Sequence, residues 1–354
     1  MTEQNHLQVF PLTLQTRSPV FIGNGHSVTK KEYLFNSRSN LVSFPDEEKL
    51  FYFLVSRNLV DAYEAFMVRD TDRDLFSFLK RNAVAPSEIE AFTRYKVDAA
   101  NALDDDHTLK EIQRFIRNAA GQVYVPGSSI KGALRTALLK AMLLERPPRN
   151  PSRDAVYDKK QNIEAAYFHT LSLKPDQNNP LNSILQGIRI SDSLPIPDRA
   201  LCVTRKFDDF PDGTYNSINV CRECIRPGTT IHSTITLDQS ILLGKLTADT
   251  IRQAIAAASR YYQETVLPHY LRAENDMNSA TILLGGGVGF QSKTVTDPYF
   301  GKDALSVTSD ILKRSFPKHH HERDADEKIS PRALKQTSFQ NATYPYGVCE
   351  VTIR

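Results

Sequence analysis

The sequence predicts an α+β fold with antiparallel sheets and helices packed on them. Three observations carry this. Short β-branched segments bounded by turn residues crowd residues 188–238: IRISDS, ALCVTRKF, SINVCRECIRP and TIHSTITLD. Two longer segments, Val123–Leu144 and Thr247–Ala273, have apolar residues at helical spacing. The strand-like segments follow one another instead of alternating with helices, which favours antiparallel layers over a parallel sheet.

Length and composition set the bounds. The chain has 354 residues, enough for two ordinary domains or one elaborated one. No apolar run is long enough to span a bilayer, so no membrane partner is expected. The N-terminal MTEQNHLQVFPLTLQTRSP lacks the regions of a secretory signal, so a cytoplasmic location is expected. A net charge of +3 leaves room for local basic patches that the average hides. Four cysteines do not make a disulfide framework in a chain of this size.

Taken in order, LQVFPLTLQTR predicts a first strand. Pro11 has no N–H to give a ladder, so this strand is expected at an edge or with a bulge. SPVFIGNGHSVTKKEY follows as a tight basic loop, with Gly23, Gly25, His26, Lys30 and Lys31. Tyr33–Phe35 and Leu41–Phe44 predict short strands. Asp46 is placed to cap the helix EEKLFYFLVSRNLVDAYEAFM. Residues 45–120 read as a helical insertion whose DRDLFSFLKR and EIQRFIRN pieces turn charged faces to solvent. VYVPGSSIKGALRTALLKAMLL reads as a strand, a Pro126-Gly127 turn, a Ser128 or Ser129 N-cap and an amphipathic helix. Lys131 and Arg135 lie four apart near the helix start, beside free backbone N–H groups, a plausible seat for a phosphate. An ordinary capped core helix accounts for the same residues. Polar loops at 146–162 and 172–182 separate this helix from the strands. A strand then runs into GGGVGFQSKTV, and GVCEVTIR predicts a last strand. Two ferredoxin-like (RRM-like) βαββαβ halves fit this order, residues 1–185 with the insertion and 186–354 with the glycine-rich loop.

Gly285, Gly286, Gly287 and Gly289 supply four of the fifteen glycines within five positions, followed by Lys293. The segment fails as a P-loop: Ser292 stands where glycine must precede the lysine, and VTDP follows where a helix must begin. What remains is a pliant loop able to lie against a sugar–phosphate chain, or a hairpin loop needed only for folding. Cys221 and Cys224 form a CxxC without a second pair, which favours two thiols in a strand over zinc. His319, His320 and His321 with Asp324 and Asp326 read as a polar loop before a metal site. His26 is a lone candidate base for attack by an RNA 2′-hydroxyl. No serine nucleophile motif, carboxylate pair or nucleotide fingerprint accompanies it, so no catalytic residue, metal or cofactor is expected.

The combination of SPVFIGNG, YVPGSSIKGALRTALL and LLGGGVGFQSKT resembles the RAMP superfamily of CRISPR effector subunits. The closing SPRALK and YPYGVCEVTI resemble its Csm-type (type III-A) branch that caps the 3′ end of the CRISPR RNA (crRNA). The resemblance spans residues 12–354. It implies ferredoxin-like halves, a glycine-rich loop as hallmark, and an RNA-binding role in holding the crRNA and setting its mature length. The implied partners are crRNA, the other Csm subunits, above all the RAMP backbone subunit, and, indirectly, single-stranded target RNA. Such a protein reads backbone and shape and leaves sequence to base pairing. By position, Ser128, Ser129, Lys131 and Arg135 match the RNA-contacting helix start; Gly23 and Gly25 match the first glycine loop. Gly285, Gly286, Gly287, Gly289 and Lys293 match the late one. The aspartate with which related backbone subunits cut target RNA has no counterpart segment here. The expectation is a non-catalytic RNA-binding subunit. Its alternatives are an RNA-processing endonuclease using His26 or His319–His321, and an adaptor that contacts only protein.

Overall fold

The computed structural model describes residues 6–68, 74–103, 108–153, 162–271 and 277–354. The chain opens with strands β1 (Leu7–Thr16), β2 (Gly23–Val28), β3 (Leu34–Asn36) and β4 (Leu41–Pro45). Helices α1 (Glu47–Ser56), α2 (Val60–Val68), α3 (Leu75–Arg81) and α4 (Pro86–Phe92) follow. Then come β5 (Thr93–Asp98), β6 (Ile112–Phe115), the long α5 (Gly127–Glu145) and α6 (Ile163–Phe168). β7 (Ile188–Ile190), β8 (Leu201–Asp209), β9 (Tyr215–Ile225) and β10 (Thr230–Asp238) lead to α7 (Gln239–Leu242) and α8 (Ala248–Thr265). β11 (Thr281–Leu283), α9 (Phe290–Lys293), α10 (Thr296–Phe300) and α11 (Ala304–Ser315) precede β12 (Leu334–Phe339), β13 (Ala342–Pro345) and β14 (Val348–Ile353).

β1 lies in the middle of a five-stranded sheet, in the order β11-β14-β1-β10-β7, with every pair antiparallel. Leu12 and Leu14 alternate inward from it and are fully buried. The edge expected for Pro11 is corrected: it pairs with Thr234 inside a central strand. Pairing with β14 begins only at Leu12–Ile353. The carbonyl of Pro11 accepts from the Arg354 N–H at 3.1 Å, so its missing N–H falls beyond the end of β14, where no ladder needs it. Helices α5 and α8 pack against one another and against this sheet. α5 buries Ile130, Leu134, Ala137 and Leu138, and α8 buries Ile251, Ala254 and Ile255, the stripes that helical spacing predicts. α8 stops at Thr265, short of the predicted Ala273.

The second sheet runs β2-β6-β9-β8-β5-β4-β3, with the β12–β13 hairpin joined to β8. Both sheets take strands from each side of residue 185: β1 pairs with β10, and β5 with β8. The boundary drawn there from sequence does not separate one sheet from the other.

The insertion is corrected in extent. Helices α1–α4 fill the connection between the paired strands β4 and β5, and they carry their own core of Leu50, Leu54, Phe66, Leu75, Phe78, Leu79 and Phe92. The predicted first helix is two, broken at Asn58, whose φ is 55°. Residues beyond Phe92 return to the sheet. Tyr95 and Val97 alternate inward from β5, and Ile112 and Phe115 are buried on β6. The arginines of EIQRFIRN, expected in solvent, turn to the buried Glu223 instead: Arg114 lies 3.1 Å and Arg117 3.2 Å from its carboxylate. No helix among the described residues is long and apolar enough to cross a membrane.

Candidate nucleic-acid interface

The late glycine loop leaves β11 and crosses to the segment that enters β2. The Gly286 N–H donates to the Phe21 carbonyl at 2.6 Å. Gly285 has φ of +92°, and a Cβ there would stand 2.2 Å from that same carbonyl oxygen. Gly287 has φ of +84°, and a Cβ would stand 2.0 Å from Arg222 Nη1. Only glycine satisfies both demands, a left-handed backbone and no side chain. Gly289, also at positive φ, precedes the single turn of α9, in which Ser292 Oγ donates to the carbonyls of Val288 and Gly289. Gly287→Ala is expected to cost more than about 1 kcal/mol of stability and to displace Arg222. Denaturant unfolding checks this; a midpoint equal to the wild type's would contradict the packing described.

Arg222 is the centre of the arrangement. It lies on β9 with Gln113 of β6 paired beside it, and its Nε donates to Gln113 Oε1 at 3.1 Å. Its guanidinium sits over the Phe21 ring at 4.7 Å and the Tyr346 ring at 5.2 Å. Its Nη1 is buried and takes no hydrogen bond. Lys206 on β8, Lys293 on α9 and Lys335 on β12 surround it. Burial first, then Lys335 and Arg222, push the Lys206 ammonium down to about 8. Burial and Arg222 lower Lys293 likewise. Lys335 donates to Asp208 at 2.6 Å, and its stem lies 3.9 Å from where a Gly289 Cβ would be. Cations so placed raise one another's energy, and a polyanion relieves that.

Below the loop, Lys140 of α5 is buried and donates to the Gln291 carbonyl at 2.6 Å. Burial holds its pKa down at about 8. It fixes α9 to the helix layer.

The predicted site residues do not all meet. The late glycines, Lys293 and the first glycine segment come together through Phe21. Gly23 and Gly25, expected in a loop, lie in β2, where a register shift between Gly23 and Ser27 and a φ of +86° at Gly25 mark a bulge. The start of α5 is elsewhere. Gly127 and Lys140 are thirteen residues apart, roughly 20 Å of helix. Neither Ser128 nor Ser129 is the N-cap; Pro126 is, without a side-chain bond, and the Gly127 N–H is taken by Asp192 Oδ1 at 2.8 Å. An aspartate thus already occupies the positive helix end. Lys131 Nζ donates to the carbonyls of Ile188 and Leu185 at 2.7 and 2.9 Å, and Arg135 is ion-paired with Glu164. Ser128 is exposed.

His26 is exposed on β2, and its backbone N–H bonds Asn24 Oδ1 at 2.8 Å. Lys30 follows just beyond the strand. Cys221 and Cys224 are buried in β9, and three positions along a strand point to opposite faces. His321, expected in a solvated loop, is buried against Asp324 at 3.0 Å; Ser330 and Arg332 also bond that carboxylate. No group of three or more His, Cys, Asp or Glu side chains among the described residues could hold a metal ion.

Sequence reading missed Lys206, Arg222 and Lys335, because they converge from the β8–β9 hairpin and from β12, more than a hundred residues later. The signal was present in one place: Arg222 stands between Cys221 and Glu223, a cation inside an otherwise buried strand segment.

The RAMP superfamily model matches residues 13–319. "CRISPR system Cms protein Csm5" of Mycobacterium tuberculosis is 29% identical over an alignment of 384 residues, which covers 99% of this chain and 98% of that protein. The protein of the same name from Enterococcus italicus is 27% identical, with 97% and 96% covered. Among solved structures, a chain of the cryo-EM structure of a Csm-crRNA-target RNA ternary complex of a type III-A CRISPR-Cas system matches with a TM-score of 0.71. That match has 17% identity over 97% of this chain and 100% of that one. The crystal structure of T. onnurineus Csm5 matches with a TM-score of 0.63 at 17% identity, over 96% and 99%. A mixed helix-and-sheet fold, a glycine-rich loop seated on the sheet edge and a family match over most of the length agree: the chain belongs to the RAMP superfamily.

Proposed function

We propose that this chain is an RNA-binding subunit of a type III-A CRISPR effector complex. It holds the 3′ region of the crRNA by its backbone, and through that it supports crRNA maturation and complex assembly beside the RAMP backbone subunit. Target RNA meets it only through the guide. The observation that carries the reading is Arg222: a half-buried guanidinium whose buried Nη1 takes no hydrogen bond, beside the glycine loop and three lysines. A phosphate supplies what that group lacks. Gly23, Gly25, His26 and Lys30 continue the surface along β2. Ser128 and Arg135 offer a secondary contact at the α5 start, and Lys131 is the weakest of the expected residues because its ammonium is held inward. No base-reading code accompanies these groups, which suits a protein that holds the sugar–phosphate chain. We assign it no catalytic step. We further infer one ferredoxin-like unit, formed by β1, α5, β7, β10, α8 and β14, in place of two halves.

The lysine field makes binding pH-dependent. A bound phosphate favours charged Lys206 and raises its pKa above the free value of about 8. The bound state therefore keeps its proton to higher pH than the free state. Affinity is full below that pH and falls as pH rises from 8 to 9, by up to tenfold per unit for one proton. Binding of labelled crRNA at pH 7 and pH 9 tests this: Lys206→Met should weaken the dependence, with Lys293, lowered likewise, accounting for what remains. An equal dependence in the variant would count against Lys206 as a phosphate partner. The same mixtures test for cleavage, and products that vanish in His26→Ala would replace this reading with an endonuclease.

A further inference from the structure

A second cleft lies at the far edge of the same sheet, between β3 and the insertion helices α3 and α4. It has a volume of about 550 Å³, in the range of pockets that take a small ligand. Phe35 and Phe76 line it, and Phe76 is half exposed. Arg38, Lys80 and Lys96 reach it from three different elements; the acid among its lining residues, Glu90, is ion-paired with Lys96. Arg38 and Lys80 take no side-chain ion pair or hydrogen bond among the described residues. Asn36, Ser37 and Ser43 add donors and acceptors along the wall.

Aromatic faces take unstacked bases, and nearby cations take the phosphates between them. A protein partner would be met by a broader apolar floor, and the uncompensated charge here is positive. We propose that this cleft binds single-stranded RNA, with a base on Phe76 and flanking phosphates on Arg38 and Lys80. The proposal rests on the RNA-binding reading above. It makes the insertion a second hold on the same strand: β3 lies four strand spacings from β9, roughly 19 Å at ~4.8 Å each.

The test is a salt titration of labelled, guide-length single-stranded RNA binding to the full chain and to the Arg38→Glu, Lys80→Glu, Phe76→Ser variant. These side chains are exposed, and circular dichroism with a thermal melt confirms folding. The expected result is binding weakened about tenfold or more, with a salt slope shallower by about 1.4, two phosphates at ~0.7 each. RNA too short to span both places should bind the variant as it binds the wild type. Unchanged affinity and slope with long RNA overturn the proposal. So does a variant that keeps RNA but drops a protein subunit from the assembled complex, which would make the cleft an acidic-peptide site. Lys206→Ala with Arg222→Ala, measured in parallel, separates the failures. If it loses RNA while the cleft variant does not, only the cleft falls. If neither does, the RNA-binding reading falls with it.

Discussion

Lys206→Ala combined with Arg222→Ala is expected to weaken crRNA binding by about tenfold to a hundredfold. Each removed cation gives up one phosphate contact and the counterion release that goes with it. Arg222 adds a charge-assisted hydrogen bond from a desolvated Nη1, of order 1.5–3 kcal/mol. The salt dependence should flatten by about 1.4 in log–log slope. Arg222 also packs between Phe21 and Tyr346, so part of the loss in its variant can be structural. Lys206→Ala with Lys293→Ala leaves that packing intact and should still flatten the slope. Filter binding at several salt concentrations reads both. A pair of variants with the wild-type slope would show that phosphates do not sit here.

The other large effect concerns stability. Glu223 is fully buried directly after Arg222, so the two side chains leave β9 on opposite faces. Its carboxylate accepts from Arg114 Nε at 3.1 Å, Arg117 Nη2 at 3.2 Å and the Phe115 N–H at 3.0 Å, and from the Tyr95 hydroxyl. The two guanidiniums also lie over rings, Arg114 over Phe44 at 4.2 Å and Arg117 over Tyr95 at 4.4 Å. Glu223→Ala takes from half-buried Arg114 its carboxylate and leaves Arg117 only Asp198, at 2.8 Å, which costs about 3–5 kcal/mol. Glu223→Gln keeps the shape and an acceptor, so its loss should be smaller. Denaturant melts rank the three proteins, and variants as stable as the wild type would contradict the account of this cluster. RNA affinity of the folded Glu223→Gln protein should be unchanged, because the cluster lies on the face away from the glycine loop.

These two residues show what the chain made legible. Arg222 and Glu223 sit in SINVCRECIRP, which reads correctly as a strand, and CxxC draws attention to the wrong pair. A strand pattern says that adjacent side chains part, but not which neighbours each will meet. Lys206 arrives from the neighbouring β8, but Gln113 and Arg114 come from β6 and Tyr346 from the turn before β14, and contacts across such distances have no local signature. The glycine loop was legible because positive φ and close approach both demand glycine, and the demand is written at each position. The α5 start misled for the opposite reason. Lys131 and Arg135 at helical spacing mark a shared face, yet whether a cation on it meets solvent, a carbonyl or a carboxylate depends on residues 164 and 185–192. Residues 93–115 fall inside the span 45–120 that reads as a helical insertion with solvated charged faces; three of them, Tyr95, Arg114 and Phe115, instead converge on Glu223.

The most direct measurement is a structure of this chain in its assembled complex with crRNA. The account predicts an RNA phosphate within hydrogen-bonding distance of Arg222 Nη1 and Lys206 Nζ, with the ribose–phosphate chain lying along Gly285–Gly289. RNA running elsewhere, with Arg222 Nη1 facing only protein, would contradict it.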